Sequence, residues 1–355
     1  MPGDDKKIPA AALAGHAERE PVNLKELAAH LDLSPTTLSL VLNNSPKAAS
    51  IPAATKKRIF AAATKMNYRP NYLARSLRAS RTRTIGVIVP ELSDGYSAMV
   101  LSGVEAALTN DGYFYLTASH LHRDDLLASR TRMLIERLVE GIIAVDTPIR
   151  FDRALPVVSV SGHEKLEGVT NVELNHAHAA DLGIGHLYDL GHRQIAVIKG
   201  QEFSSDSDER LSTILEAASS RGIPIHPRLI GQLIGDSPSP ELGFNATREI
   251  LSTGVKFTAL FAFNDVSAIG AIRALEEAGR RVPADVSVLG FDDIYGAAYH
   301  NPPLTTIRQP LFEMGSLAAS TLLNRLVNRD DDAPQVLSVE PTLIVRHSTA
   351  TVAGP

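Results

Sequence analysis

The stretch VNLKELAAHLDLSPTTLSLVLNN, Val22 to Asn44, holds two helical patterns separated by one tight break. Asn23 stands where a helix N-cap belongs and Glu26 follows three residues on, while Leu24, Leu27, Ala28 and Leu31 recur as an inward stripe. Asp32 marks the break. Ser34 then caps a second helix, Pro35 fits its first position, where no amide hydrogen is called for, and Leu38, Val41 and Leu42 return at helical spacing. A third helix is predicted over 52–67, with Ile59, Ala62, Ala63 and Met66 facing the other two and Lys56, Lys57 and Arg58 exposed at its start. Two helices joined by a turn of about three residues and closed by a third make a helix-turn-helix.

The outward face of the second helix carries Pro35, Thr36, Ser39, Leu40 and Asn43. These are short groups that donate, accept or touch a thymine methyl, which is what entry into a groove lined by base edges requires. A merely solvated face would more often carry Lys and Glu. Charge points the same way. Residues 22–83 hold eleven Lys and Arg against Glu26 and Asp32, a net +9, whereas residues 84–355 carry a net −13, so the overall −5 hides a basic module on an acidic one. Such an excess marks a polyanion-binding surface.

Next comes NYRPNYLARSLRASRTRT, with Arg69, Arg75, Arg78, Arg81 and Arg83 and no acid. LARSLR can form one or two helical turns with Leu73 and Leu77 on one side, a helix too short to stand alone in water. An apolar wedge flanked by arginines is the device of proteins that kink DNA through the minor groove.

The runs VNLKELAAHLDLSPTTLSLVLNNSP and NYRPNYLARSLRASRTRTIGVIVPELS resemble the headpiece and hinge of the LacI/GalR family of bacterial transcription regulators, and the similarity continues through LGHRQIAVIKG, FAFNDVSAIGAIRAL, VPADVSVLGFDDI and PPLTTIRQPLFEMG. The resemblance implies an N-terminal all-α helix-turn-helix domain joined to a two-lobed, periplasmic-binding-protein-like α/β core with parallel sheets covered by helices. It implies a homodimer on double-stranded operator DNA, controlled by a sugar-like small-molecule effector, with no cofactor and no metal. Ser34, Pro35, Thr36, Thr37, Ser39, Leu40, Asn43, Tyr68, Asn71, Arg75, Leu77 and Arg78 are the expected DNA contacts, Leu77 being the wedge. Three departures stand out. Leu40 replaces the usual recognition-helix Arg; Asp32 replaces the turn glycine, and Asp is among the few residues that tolerate a left-handed backbone; KAASIPAAT, 47–55, is longer than the usual link to the third helix.

After Thr84 the chain alternates apolar runs with amphipathic helices. IGVIVPEL, YFYLTAS, GIIAVDT, PVVSVSG, QIAVIKG, LIGQLIG, TALFAFND and VSVLGFDD read as strands, separated by helices over 98–110, 125–139, 176–190, 208–220, 241–252, 266–278 and 311–327. This alternation is that of parallel sheets covered on both faces. The expected organisation is a flexible tail over 1–21, the helix-turn-helix over 22–70, a hinge over 71–83 and the core over 84–350. Its lobe 1 takes 84–175 and 308–330, and its lobe 2 takes 176–307 and 335–347.

Ligands of open α/β sheets bind beyond the carboxyl ends of the strands. There the sequence collects Ser93, Tyr96, Asp146, Ser161 and His163, with Asp94, Asn264, Asp265, Asp292 and Asp293 further on and Arg210 near a helix start. The candidate effector set is Ser93, Tyr96, Asp146, Ser161, His163, Arg210, Asn264 and Asp292, the resemblance singling out Arg210, Asn264 and Asp292. Asp265 and Asp293 are read as caps or turns, and His176 and His178 as surface groups. Such a set suits a sugar, and also a nucleobase or a phosphorylated sugar.

The inventory excludes much. The 355 residues contain no Cys and no Trp, which removes disulfides, Cys-held zinc, iron–sulfur clusters and thiol catalysis. No P-loop, GxSxG or HExxH occurs, and GIGHLYDLG lacks the third glycine of a dinucleotide fingerprint. An enzyme is therefore not expected. The remaining alternative is a sugar-binding or sugar-processing protein on the same fold. No signal-like or membrane-spanning run is found, so a cytoplasmic location is expected. The C-terminal run VEPTLIVRHSTATVAGP is a strand pattern and a polar tail without heptads, so no tetramerising helix is expected.

Overall fold

The computed structural model describes residues 22–43, 45–68, 81–93, 95–150, 155–162, 164–236, 239–328 and 334–352. The chain divides into two compact units, 1–82 and 83–355. Asn71, Arg75, Leu77, Arg78 and His163, named from the sequence, lie outside the described residues, as does the 1–21 tail.

In the first unit, α1 (Leu24–Leu31), α2 (Pro35–Leu42) and α3 (Ala53–Lys65) surround a core built on Leu27, Leu38 and Ile59, all fully buried. Local chemistry sets the boundaries. Asn23 Oδ1 accepts the amides of Lys25 and Glu26 while Glu26 Oε2 accepts the Asn23 amide, a complete capping box. Asp32 ends α1 in the left-handed region, at φ 51° and ψ 47°, so an aspartate does take the turn. The link before α3 is a short 3-10 helix, Pro46–Ser50, that buries Ala48 against the core. Arg58 donates to the Leu31 carbonyl and so ties α3 to the end of α1. Lys56, expected on the surface, is half-buried.

The second unit contains two sheets. The lobe 1 sheet holds β1 (Thr84–Val89), β2 (Phe114–Ser119), β3 (Gly141–Val145), β4 (Val157–Val160), β5 (Val169–Leu174) and β11 (Val336–Val339), all parallel, in the order β11-β5-β4-β3-β1-β2. Alternate residues of β1 feed opposite faces: Ile85, Val87 and Val89 pack against α4 (Gly95–Asn110) and α11 (Leu311–Asn328), and Ile88 packs against α5 (Asp124–Glu136). Helices α4 and α11 approach so closely that a Cβ on Gly103 would lie 1.9 Å from the Phe312 carbonyl oxygen.

The lobe 2 sheet holds β6 (Ile195–Lys199), β7 (Ile230–Gln232), β8 (Ala259–Phe261), β9 (Ser287–Asp292), β10 (Thr305–Arg308) and β12 (Thr342–Ile344), in the order β12-β10-β9-β8-β6-β7, with only the β10–β12 pair antiparallel. Helices α6 (His176–Asp189) and α7 (Ser205–Ser220) cover one face, and α8 (Pro240–Ser252) and α9 (Asp265–Glu277) the other. A one-turn helix, α10 (Tyr295–Tyr299), follows β9. The chain crosses between lobes three times, at 175, at 309–310 and at 340–341.

Two corrections to the sequence reading follow. Residues 335–347 do not all belong to lobe 2: Val336–Val339 pairs with β5 in lobe 1, with Val336 opposite Asn171, and only Thr342–Ile344 joins lobe 2. Apolar pattern alone carries no information about which sheet edge a short strand completes. Strands β5 and β10 escape an apolar search because they bury Thr170, Asn171, Thr305 and Thr306. Hydrogen bonding makes that burial tolerable: Thr170 Oγ1 donates to the Pro334 carbonyl at 2.7 Å and Thr306 Oγ1 to Asp265 Oδ1 at 2.6 Å.

Candidate functional site

The carboxyl ends of β1, β3, β6, β8 and β9 open on one cleft of about 590 Å³, its open mouth included, between the lobes. Five expected residues line it together: Tyr96, Asp146, Arg210, Asn264 and Asp292. Ser161 stands behind them, its Oγ 2.7 Å from the Tyr96 hydroxyl. Ser93 is not brought in; it is exposed and bonded to Glu91 Oε2 at 2.9 Å.

Arg210 organises the site. Its guanidinium is 4% exposed and lies 3.7 Å from the Phe291 ring centroid and 4.4 Å from that of Phe263. Nη1 donates to the Phe263 carbonyl at 2.5 Å and Nη2 to Asp206 Oδ2 at 2.9 Å, while Nε, also buried, has no protein partner. One face of a rigid donor is thus fixed and one donor is held ready. His176 completes the group, with Nε2 3.4 Å from Asp206 Oδ1 and its ring stacked on Phe291. The expectation of a surface His176 is therefore wrong: it is 5% exposed, whereas His178 is half-exposed and paired with Glu340 at 2.6 Å. The β5 end turns α6 inward at its first residue, which periodicity within α6 could not reveal.

Asp206 was absent from the expected set, though its i, i+4 spacing to Arg210 was a usable signal. Phe263, immediately before Asn264, and the pair His122 and Phe203 were missed as well; loop residues carry no period. His122 of lobe 1 and Phe203 of lobe 2 stack at 3.7 Å, and Ser205 Oγ of lobe 2 bonds to the Ser161 carbonyl at 2.8 Å and to Asp146 Oδ1 at 3.3 Å, contacts that hold the lobes together at the mouth.

Several lining residues sit at positive φ without being glycine: His122 at 53°, Asp146 at 39° and Asp292 at 106°, with Ser161 behind at 55°. Strain concentrated where strands end is typical of ligand-positioning backbone. Asn264 caps α9, accepting from the Ser267 amide at 2.9 Å, and Asp292 accepts from Gln309 Nε2 at 2.6 Å. Burial, then the Asp206 and Asp146 carboxylates, hold the Tyr96 phenol well above its ordinary pKa, so it is a neutral hydroxyl. Asp265 lies behind the cleft, fully buried, accepting from Thr306 and the Ile294 amide; burial and the Asp292 carboxylate raise it well above the carboxylate range.

In the first unit, Ser34 caps α2, its Oγ accepting the Thr37 amide at 3.1 Å. Pro35, Thr36 and Asn43 are exposed, and Thr37 and Ser39 half-exposed. Asn43 Nδ2 donates to the Ser39 carbonyl at 2.8 Å. Leu40 and Tyr68 are half-buried and pack against the helical core, so Leu40 offers only part of its side chain outward. No helix among the described residues is long and apolar enough to cross a membrane.

A helix-turn-helix unit followed by a two-lobed core with a polar interlobe cleft defines a DNA-binding regulator that senses a small molecule. Residues 23–71 match the family described as bacterial regulatory proteins, lacI family, and residues 184–349 match the periplasmic binding protein-like domain. The HTH-type transcriptional repressor PurR of Photorhabdus laumondii is 33% identical over 94% of this chain and 97% of its own length. Among solved structures, the Lac repressor dimer bound to operator and the anti-inducer ONPF superposes with a TM-score of 0.81 at 25% identity, covering 93% of this chain and 100% of that one. The transcriptional regulator CelR–cellobiose complex superposes with a TM-score of 0.69 at 28% identity, covering 92% and 99%. The chain belongs to the LacI family of bacterial regulatory proteins. It is a DNA-binding transcriptional repressor under small-molecule control and not an enzyme, which removes the sugar-processing alternative.

Proposed function

We propose that this repressor acts in the cytoplasm as a homodimer on a near-palindromic operator and that its effector is a neutral, polyhydroxylated molecule, a sugar or sugar derivative. The observation that carries the effector class is the charge of the cleft. Among the described residues, Glu91, Asp146, Asp206 and Asp292 face a single guanidinium, Arg210, which Asp206 already neutralises. A phosphorylated ligand would meet net negative charge in a low-dielectric cleft. Hydroxyl groups, by contrast, donate to Asp146 and Asp292 and accept from Arg210 Nε, with Phe263 offering an apolar face to a ring. The cellobiose complex of CelR supports the same class. The aromatic faces of Phe203 and Phe263 favour a second reading, a planar nucleobase.

Helix α2 supplies the base-reading side chains and the basic residues around it supply phosphate contacts. The operator-bound Lac repressor dimer supports that arrangement. The effector shifts operator affinity by binding one degree of lobe closure better than another. Melting temperatures of the full chain against neutral sugars, their phosphates and free nucleobases test the effector class. Stabilisation by neutral sugars alone is expected; stabilisation by the phosphates alone would overturn it. In gel shifts, Arg75→Ala weakens binding to every sequence and Thr36→Ala changes which sequences are preferred.

A further inference from the structure

Helix α2 with its two caps, Ser34 to Asn43, carries no charged side chain and no glutamine, and the nearest charges along the chain are Asp32 and Lys47. Base edges in the major groove are paired most strongly by Arg, Lys, Asn, Gln, Asp and Glu, and guanine above all by Arg or Lys on its O6 and N7. Of those residue types the run holds Asn43 alone, and its amide is already engaged: Nδ2 donates to the Ser39 carbonyl at 2.8 Å and to Ser39 Oγ at 3.2 Å. A two-bond contact with adenine would have to break both. The other end of the helix closes on itself in the same way, Ser34 Oγ accepting the Thr37 amide at 3.1 Å and bonding to Thr37 Oγ1 at 2.8 Å. Most of the polar groups of α2 are thus committed to its own structure.

What remains to face a partner is largely apolar. Pro35 and Thr36 are exposed, and Leu40 packs on the helical core with part of its side chain while the rest stays accessible. Thr36 and Leu40 are four residues apart and so stand one above the other on the same face, with about 5–6 Å between their Cβ atoms. Base pairs rise by about 3.4 Å, so two side chains at that spacing fall over pairs one or two steps apart. The major-groove group that an apolar side chain recognises is the C5 methyl of thymine. We infer that α2 reads thymine methyl groups, with Leu40 and Thr36 as its specificity-determining residues, and that the base pairs beneath them in each operator half-site are A·T, not the guanine pairs that an arginine at position 40 would select. The inference rests on α2 being the helix that reads bases in the major groove.

The test begins by selecting bound duplexes from a random-sequence pool with the full chain at one fixed, low ionic strength, since salt scales every phosphate contact. Thymines of the selected half-site are then replaced one at a time by deoxyuridine, which removes the methyl and keeps the pairing, and affinity is read by fluorescence anisotropy. In the wild type a pair of thymines in each half-site should each lose about fourfold in affinity, the worth of one buried methyl. Leu40→Ala should erase that loss at one of the pair, and Thr36→Ser, which keeps the hydroxyl and removes the side-chain methyl, at the other. Thr36 is exposed, so Thr36→Ser carries the test if melting temperatures show that Leu40→Ala is unfolded. A consensus whose thymines tolerate deoxyuridine without loss, or whose positions affected by the two variants are guanine pairs, would overturn the methyl reading and leave α2 as the base-reading helix. Sensitivity to deoxyuridine that persists unchanged in both variants would overturn the assignment of Leu40 and Thr36. Selection of no consensus at all would overturn the base-reading role of α2, and the inference with it.

Discussion

The helical unit and the two-lobed core place their working residues in opposite ways. In the first unit, everything on the outward face of α2 lies within a single run, Pro35 to Asn43, and its exposure follows from helical period alone. In the core, Arg210 is held by Asp206, Phe263 and Phe291, residues up to 81 positions away from it. One surface is a local property of the chain; the other exists only when both sheets are complete. A regulator assembled this way can change its DNA preference by single exposed substitutions, whereas its ligand site is bound up with the stability of the lobes.

The largest effect that would sharpen this contrast is expected at Arg210. Arg210→Ala leaves the Asp206 carboxylate buried without its guanidinium and should cost the core about 3–5 kcal/mol, read as an earlier core transition in urea, together with loss of effector response. If the substitution abolished effector binding with no loss of stability, site and scaffold would be separable and the contrast would break. Leu27→Ala, in the fully buried centre of the small helical core, should cost about 2–4 kcal/mol and abolish operator binding while effector affinity, measured by calorimetry, is unchanged.

Asn23→Ala removes the side-chain half of the α1 capping box, the two amide bonds accepted by Oδ1, while the residue 23 amide can still donate to Glu26; it should cost about 1 kcal/mol, again confined to the first transition. The smallest effect is a pH slope belonging to the core. Burial, with a smaller contribution from nearby His122, lowers His120 to about 4, and burial lowers His122, His186 and His192 below 6.5. Between about 4 and 6.5 these histidines bind more protons in the unfolded core than in the folded one, so their contribution to stability rises with pH there and is lost as pH falls below 6.5, while the raised Asp265 acts in the opposite sense. His120→Asn should make that slope shallower in melting temperatures taken from pH 7 to pH 4.5.

The same contrast governs what the sequence makes legible. The capping box at Asn23, the Ser34 cap, the left-handed Asp32 and the alternation of strand and helix are all local rules, and they can be read residue by residue. Tyr96, Asp146, Arg210, Asn264 and Asp292 were reachable because strand ends and family motifs mark them. Asp206 offered only its i, i+4 spacing to Arg210, and Phe263, Phe203, His122 and His176 were not reachable, since their role depends on which segment faces which across the cleft. Polar strands such as β5 are similarly hidden: Thr170 and Asn171 look like surface residues until their buried partners are known.

The three chain passages between the lobes, at 175, 309–310 and 340–341, have a mechanical consequence. A single tether would leave the two halves free to swivel in any direction, whereas three short ones set side by side act like pins along a door frame. Swing about one line remains easy, and twist or sideways slip is resisted. Whatever work a bound metabolite performs is then channelled into one angular coordinate, and the separation of His122 from Phe203 is a ruler for it.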